Sequence, residues 1–468
     1  MSRRAWVALI TVLALLAGFG VWRWTTSPSF RAERAADALA DLPGVQSART
    51  MERGGERQIL AQLAPSASAE QTRAVISRAS RLSSDDVVRR VLVRVGSAEI
   101  YVGSGYLPDD ATQTLLALAA LPSGRATMIS GSDVTVAPTD RTPLQTAIDT
   151  LRLVLDRSLR IDAVQVQGRN DDGDPYRQVR VEDPTRSQLT MLQQLLPGQG
   201  QIRELEIGGA KRLEVEARTD RAGLAPVAQT VRRAALAADP VPRWVHVRTR
   251  DGSFGLNGSG DPGPALAAAD RLERGGLLVD QISTDRAFLQ VGRRWNGDRA
   301  DLLPVAERAI GALDPPLPPG ATISAGGAFL GTLEDLRTIG PVISRALEQD
   351  GSVAWRNASS GSGPRSSPGT LPRLTVALPE GACLGSDGAA LAPAMATARS
   401  AAWRGTARVV FVQPSRPGGP CDEGGRPSYR TVELESTASG TSAKVVEDGG
   451  LGADEVIRRW RASAPAAP

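Results

Sequence analysis

Apolar positions along the chain follow two spacings in turn, and each change from one to the other marks a helix followed by two strands. A short helix near residues 33–41 leads into strands near 45–50 and 57–63. The next helix opens at Ser68 with Gln71 three positions on, a capping box, and carries Val75, Ala79 and Leu82 on one face. It feeds a strand in which Val91, Val93 and Val95 alternate with Arg90, Leu92 and Arg94, and then a strand near 98–102. Thr142, Pro143 and Gln145 start a further helix whose face is Leu144, Ile148, Leu151 and Leu155, with strands near 161–167 and 177–182.

Strand alternation also predicts the layers. Leu213, Val215 and Ala217 oppose Arg212, Glu214 and Glu216, while Val179 and Val181 oppose Gln178, Arg180 and Glu182. One face is apolar and the other is wet, so the fold class expected is α+β: antiparallel sheets with helices on one side, a two-layer sandwich. The pattern repeats. Leu42-Pro43-Gly44 recurs as Leu121-Pro122-Ser123 and Leu196-Pro197-Gly198, with prolines 79 and 75 residues apart. Helix starts at Pro108-Asp109, Asp183-Pro184 and Asp261-Pro262 keep the same step, the last two with Asp as N-cap and Pro at the first helical position. The period of about 77 residues holds two helix–strand–strand units. It places modules at 31–108, 109–183, 184–261 and 262–330, then a helix interrupted at Pro341 and a Ser/Gly/Pro-rich linker within 331–370. A C-terminal α+β region at 371–468 follows, with strands near 372–378, 406–412 and 429–435 and a helix near 453–461. Separate modules and one continuous, solenoid-like sheet both satisfy this pattern.

The segment Ala38-Leu39-Ala40-Asp41-Leu42-Pro43-Gly44-Val45-Gln46-Ser47-Ala48-Arg49 resembles the first helix and second strand of heavy-metal-associated, ferredoxin-like domains. It is similar as well to the ring-building domains of bacterial secretion and flagellar basal-body proteins. The resemblance implies tandem ferredoxin-like modules, since helix–strand–strand used twice is the βαββαβ pattern in a shifted frame. The metal-binding family needs a cysteine pair just before that helix, where this chain has Phe30 to Arg34. A fold is implied, and no metal role.

Residues 5–22 carry no charge and as a helix would reach about 27 Å, enough to cross a bilayer, with Trp6, Trp22 and Trp24 at its ends. Arg3 and Arg4 before an apolar core also describe a signal peptide; the absence of a good A-x-A site favours an uncleaved anchor over residues 1–30. Arg residues flank both ends, so charge alone does not orient it. Cys383 and Cys421, the chain's two cysteines, suit a disulfide in an oxidising exterior and place the bulk of the chain outside the membrane. Closing that 38-residue separation would contribute about 4 kcal/mol in the chain-entropy account.

Composition narrows the chemistry. The 468 residues are 41% apolar and 23% charged, the balance of a globular protein. Only Lys211 and Lys444 among the 55 basic residues are lysines, an arginine bias of the kind high-GC coding produces. A net charge of +4 predicts no nucleic-acid partner. With one histidine and two cysteines, His/Cys zinc sites have no ligand set, and neither lysine follows a glycine, so there is no GxxxxGK[ST] phosphate loop. The whole resembles an envelope protein of a high-GC Gram-positive bacterium.

Candidate motifs resolve into structure. Gly258-Ser259-Gly260-Asp261-Pro262-Gly263 matches GxGxxG, with Asp280 beyond it, but reads as a turn whose Asp caps a helix. Asn170, Asp172 and Asp174 match the start of a calcium loop, while Pro175 and Val181 stand where Gly and Glu are needed, and a hairpin turn explains them. His246 falls on a solvated strand face beside Trp244 and Arg248, without a nucleophile motif near it. Arg458, Arg459 and Arg461 around Trp460 make a basic helix end that suits anionic lipid, wall polymer or the helix dipole alone. Asp85-Asp86 and Asp109-Asp110 sit at element starts. The expectation is a single-pass, extracytoplasmic scaffold that binds an envelope protein or wall polymer, with no catalytic, cofactor or metal residue. A homo-oligomer built through ring-forming modules is the alternative, and a hydrolase site within 371–462 the third.

Overall fold

The computed structural model describes residues 27–463 apart from 54–55, 85–89, 104–109, 122–123, 130–131, 170–174, 210, 349–351, 358–370, 379–382, 385–390, 414–429 and 440–441. The expected anchor at 5–22 lies outside the described residues. Among these, no helix is long and apolar enough to cross a membrane.

The chain is mixed α/β and falls into two compact units, Met1–Arg218 with Arg233–Val245, and Thr219–Arg232 with His246–Pro468. The first unit repeats helix, strand, strand: α1 (Pro28–Ala40), β1 (Val45–Arg53), β2 (Glu56–Leu63); α2 (Ala69–Ser84), β3 (Val91–Val95), β4 (Ala98–Val102); α3 (Ala111–Ala119), β5 (Gly124–Ile129), β6 (Asp133–Pro138). It continues with α4 (Pro143–Asp156), β7 (Ala163–Arg169), β8 (Pro175–Glu182), α5 (Arg186–Leu195), β9 (Ile202–Gly208) and β10 (Arg212–Ala217). Each hairpin pairs antiparallel, as in Val93↔Ile100 and Val164↔Val181. The strand after each helix then lies parallel beside the strand before it, as in Ala61↔Val93, Ile100↔Met128, Val136↔Val166 and Val181↔Ile207. The ladder is therefore unbroken from β1 to β10 and crosses the expected module boundaries at 108 and 183.

This corrects the antiparallel expectation. A helix on one face carries the chain back along the sheet, so the next strand must run parallel to the last. In a ferredoxin-like βαβ another strand lies between the parallel pair; here the two are direct neighbours. Local spacing is the same in both arrangements, which is why the sequence pattern does not separate them.

The helix α6 (Leu224–Leu236) and the strand β11 (Trp244–Arg248) contribute to both units, and the second repeats the device from His246 on, where β11 pairs through His246–Arg248 with β12 (Gly255–Asn257). Then come α7 (Pro262–Arg274), β13 (Val279–Ser283), β14 (Phe288–Val291), α8 (Arg299–Gly311), β15 (Thr322–Ala325), β16 (Phe329–Gly331), α9 (Leu333–Glu348), β17 (Ser352–Arg356) and β18 (Arg373–Ala377). The unit ends with α10 (Leu391–Arg399), β19 (Thr406–Val412), β20 (Thr431–Thr437), β21 (Ala443–Asp448) and α11 (Ala453–Ala462). Helix α9 runs through Pro341 without a break. Successive helix starts from α1 to α9 are 32 to 43 residues apart, about half the sequence period. The sheet does not stop at the Ser/Gly/Pro-rich stretch: β17 and β18, on either side of it, pair antiparallel through Ala354↔Thr375 and Arg356↔Arg373.

Helix starts follow the local chemistry where the caps are strong. Ser68 and Gln71 form the expected capping box, each side chain bonding the other's backbone N–H at 3.2 and 2.8 Å. Asp183 is not the N-cap expected of it. It sits at φ 48°, and Thr185 caps α5 instead, in a box with Gln188. The reason is that Thr185 and Gln188 satisfy two orphan amides reciprocally, whereas an Asp two residues earlier satisfies one. On the covered face, Ile59, Ala61, Val91, Val93, Ile100, Val134, Val136, Val164, Val166, Val179 and Val181 are buried. Each fully buried Val or Ile contributes about 1.5–3 kcal/mol relative to its exposed state.

Candidate functional site

The opposite face of the first unit is charged. Arg94 on β3 and Arg125 on β5 both ion-pair Glu99 on β4, which is 1% exposed. Further along, Arg180 pairs Glu182 at 2.8 Å, Arg203 pairs Glu216 at 2.8 Å, and Arg212 reaches Glu214 at 2.8 Å and Glu206 at 3.8 Å. The Glu214 hydrogen bond holds the Arg212 guanidinium above its usual pKa, outweighing the desolvation that lowers it. Register creates these pairs: Glu206 and Glu214 oppose each other across β9–β10, and Arg212, next but one to Glu214, spans both.

At one end of this sheet a cleft of ≈ 400 Å³ opens beside the start of α4, lined by Thr142, Leu144, Gln178, Gln199 and Arg218. Its polar groups answer one another. Thr142 Oγ1 donates to Gln199 at 2.6 Å, and Arg218 Nε donates to the Ile202 carbonyl at 3.0 Å.

The glycine motif of the second unit sits in a setting its spacing did not reveal. Strands β12 and β13 are adjacent and parallel across α7, with Asn257↔Ser283, so the βαβ unit that a dinucleotide turn requires is present. What fills the turn is Thr284. A Cβ on Gly258 would lie 2.6 Å from Thr284 Oγ1 and one on Gly260 2.8 Å from it, and the Gly260 N–H donates to that oxygen at 3.1 Å. Asp261 accepts from the Gly263 N–H at 3.1 Å and from Gln229 at 2.9 Å. The helix amides and the glycine-made space are thus occupied from within the fold. Asp280, the acid beyond the motif, is 8% exposed and accepts from the Arg293 N–H at 2.6 Å while pairing Arg294 at 3.4 Å. Gly258 has φ 96°, so Gly258→Ala is expected to destabilise the second unit by about 1–2 kcal/mol through backbone strain and contact with Thr284. Urea unfolding checks this; an unchanged midpoint would contradict the account of the turn.

His246 is half-buried on the polar face, directly opposite Asn257, and Gly255 leaves the space its ring uses: a Cβ there would lie 2.6 Å from Nε2. The loop beyond it is tied by Asp251, which accepts from the Ser253 N–H at 3.0 Å and from Thr249 Oγ1 at 2.7 Å. These bonds, that of Ser253 first, lower its pKa to about 2. Asn170, Asp172 and Asp174 lie outside the described residues, as do Asp85, Asp86 and Asp109. Among the described residues, no three His, Cys, Asp or Glu side chains gather closely enough to hold a metal ion.

The basic end of α11 is not an exposed aromatic patch. Trp460 is fully buried, Arg458 and Arg459 pair Glu455 one turn back, and Arg399 donates to the carbonyls of Trp460 and Ser463 at 3.0 and 2.6 Å. Arg399 closes the helix end and Arg459 is half-buried against Glu455, while Arg458 and Arg461 are exposed. Cys383 is disulfide-bonded, and the partner expected for it, Cys421, lies outside the described residues. The neighbouring Leu384 donates its N–H to Gln413 at 2.7 Å and accepts from Arg430 at 3.4 Å. No protein-family model, no curated protein and no solved structure matches the chain.

Proposed function

We propose that this chain is a non-enzymatic binding scaffold of the cell envelope, anchored in the membrane by residues 5–22 with its bulk on the extracytoplasmic side. One observation carries the binding role. Residues that could do chemistry in the second unit are consumed by the fold around them, Asp261 by its own helix, Asp280 by Arg293 and Arg294, and the glycine turn by Thr284. What the repeats do offer is a long polar sheet face, built strand by strand from the residues that alternate with the core. The disulfide on Cys383 supports the external location, since such bonds persist in oxidising compartments.

The test is protease added to intact spheroplasts, together with crosslinking in whole cells. Digestion of everything beyond about residue 30 and recovery of a crosslinked envelope partner are expected. Protection of residues 371–462 until lysis would reject the location, and an absence of any crosslinked partner would reject the scaffold.

A second reading, self-assembly, has its own support in the sheet edges. Among the described residues β21 pairs only with β20, and its Val446 is 49% exposed. An edge with free backbone groups and an apolar side chain can accept a strand from another copy. Sedimentation of the purified chain over a range of concentrations distinguishes the two: a mass that rises with concentration belongs to assembly.

A further inference from the structure

Register places three arginines in one row across the polar face of the second unit: Arg356 on β17 stands opposite Arg373 on β18, and Arg373 beside Arg408 on β19. Arg408 is neutralised by Glu433 at 3.0 Å and Glu435 at 3.2 Å. Arg356 and Arg373 are exposed, and neither has a hydrogen-bond or ion-pair partner among the described residues. The carboxylate beside Asn357, that of Asp335, is already engaged by Thr332 and by Asn357 at 3.0 Å. The sequence between the two strands adds charge of the same sign, since residues 357–372 include Arg365 and no acid.

This departs from how the rest of the sheet is built. Wherever else like charges oppose each other on described strands, an arginine bridges at least one of them: Arg212 between Glu206 and Glu214, Arg203 at Glu216, Arg408 at Glu433. Opposed like charges destabilise a strand pair, so an unbridged arginine pair holds a local cost that a bound anion would relieve. The two guanidiniums lie on neighbouring strands, about 5 Å apart at the backbone. Beside them on the same face stand the small side chains Ala354 and Thr375, opposite each other two positions along.

We propose that Arg356 and Arg373 form a phosphate-binding site. A tetrahedral phosphate carries more charge than a carboxylate and a larger set of acceptor oxygens, so it can meet two planar forks bidentately at once. The inference rests on the binding-scaffold reading and names its ligand class: a phosphate-bearing polymer or lipid headgroup.

The experiment uses the full chain in neutral detergent, titrated calorimetrically with inorganic polyphosphate, with inorganic phosphate, with mixed micelles of the same detergent and phosphatidic acid, and with poly-glutamate. Wild type is expected to bind polyphosphate or the phosphatidic acid micelles, which separates a polymer from a lipid, and to bind poly-glutamate at least about tenfold more weakly. Arg356→Gln and Arg373→Gln should each weaken phosphate binding about tenfold and together abolish it, while Arg404→Gln leaves it unchanged. Because each substitution removes a repulsion, the melting temperature of the double variant should hold or rise, so its lost binding cannot come from unfolding. Undiminished binding by the double variant, equal affinity for poly-glutamate, or no binding of any phosphate probe by wild type would each overturn the site. Cellular crosslinks that persist in the double variant would leave the scaffold standing and remove this site from it.

Discussion

Trp460→Ala is expected to lower the stability of the second unit by about 3–5 kcal/mol, the range for emptying a large aromatic site in a core. The indole is fully buried and does three things there. Its ring packs against Phe411 of β19 with centroids 6.2 Å apart and planes tilted by 59°. Its Nε1 donates to Ser436 Oγ on β20 at 3.0 Å, so truncation also leaves that buried hydroxyl short of a donor. The Arg399 guanidinium lies 5.8 Å from the ring centroid while holding the last carbonyls of α11. Removal therefore opens a cavity under the last strands and loosens the helix that covers them. Trp460→Phe keeps most of the packing and should cost less than half as much, the hydrogen bond alone being about 1 kcal/mol. Chemical unfolding followed by circular dichroism measures both; a Trp460→Ala change below about 1 kcal/mol would mean that α11 does not depend on its tryptophan.

Cys383→Ser is expected to destabilise the same unit by about 4 kcal/mol if the closed loop spans the 38 residues to Cys421. The effect should extend beyond the C-terminal strands. β17, β18 and β19 are consecutive members of one ladder, joined through Trp355↔Leu374 and Leu374↔Val409, so loosening near β18 reaches α9 and β16. Thermal unfolding with and without reductant tests this: reductant should lower the melting point of wild type to that of the variant and leave the variant unmoved. Two alkylatable thiols in protein prepared under thiol-blocking conditions would contradict the bond and withdraw the main support for the external location.

How much of this was readable beforehand depended on distance along the chain. The alternation of Val179 and Val181 with Arg180 and Glu182 identified the buried and polar faces because side-chain direction in a strand is set by neighbouring residues alone. The box of Ser68 and Gln71 was equally local, four residues closing on themselves. Helix α9 was legible in its apolar spacing, and Pro341 marked a break that its packing overrode. Asp183 shows the limit even at short range: two cap candidates two residues apart compete, and reciprocal bonding rather than residue preference chooses Thr185.

The candidate sites turned on partners far along the chain. Thr284 fills the turn at Gly258 from the end of β13, and Arg293 and Arg294 claim Asp280 from beyond β14; no spacing rule connects these residues until the parallel pairing of β12 with β13 and the antiparallel pairing of β13 with β14 bring them together. The arginine row is the same lesson in the opposite sense. Arg356 and Arg373 are separated by a Ser/Gly/Pro-rich stretch that reads as a linker, and each alone is an ordinary polar position on a strand. Their meaning lies in the register Arg356↔Arg373↔Arg408, which alternation cannot supply because it gives each strand its faces but not its neighbours. Local chemistry was enough to decide elements, caps and faces. Strand adjacency, and with it the charge pairs made between strands, was decided by the helices that carry each strand back beside the last.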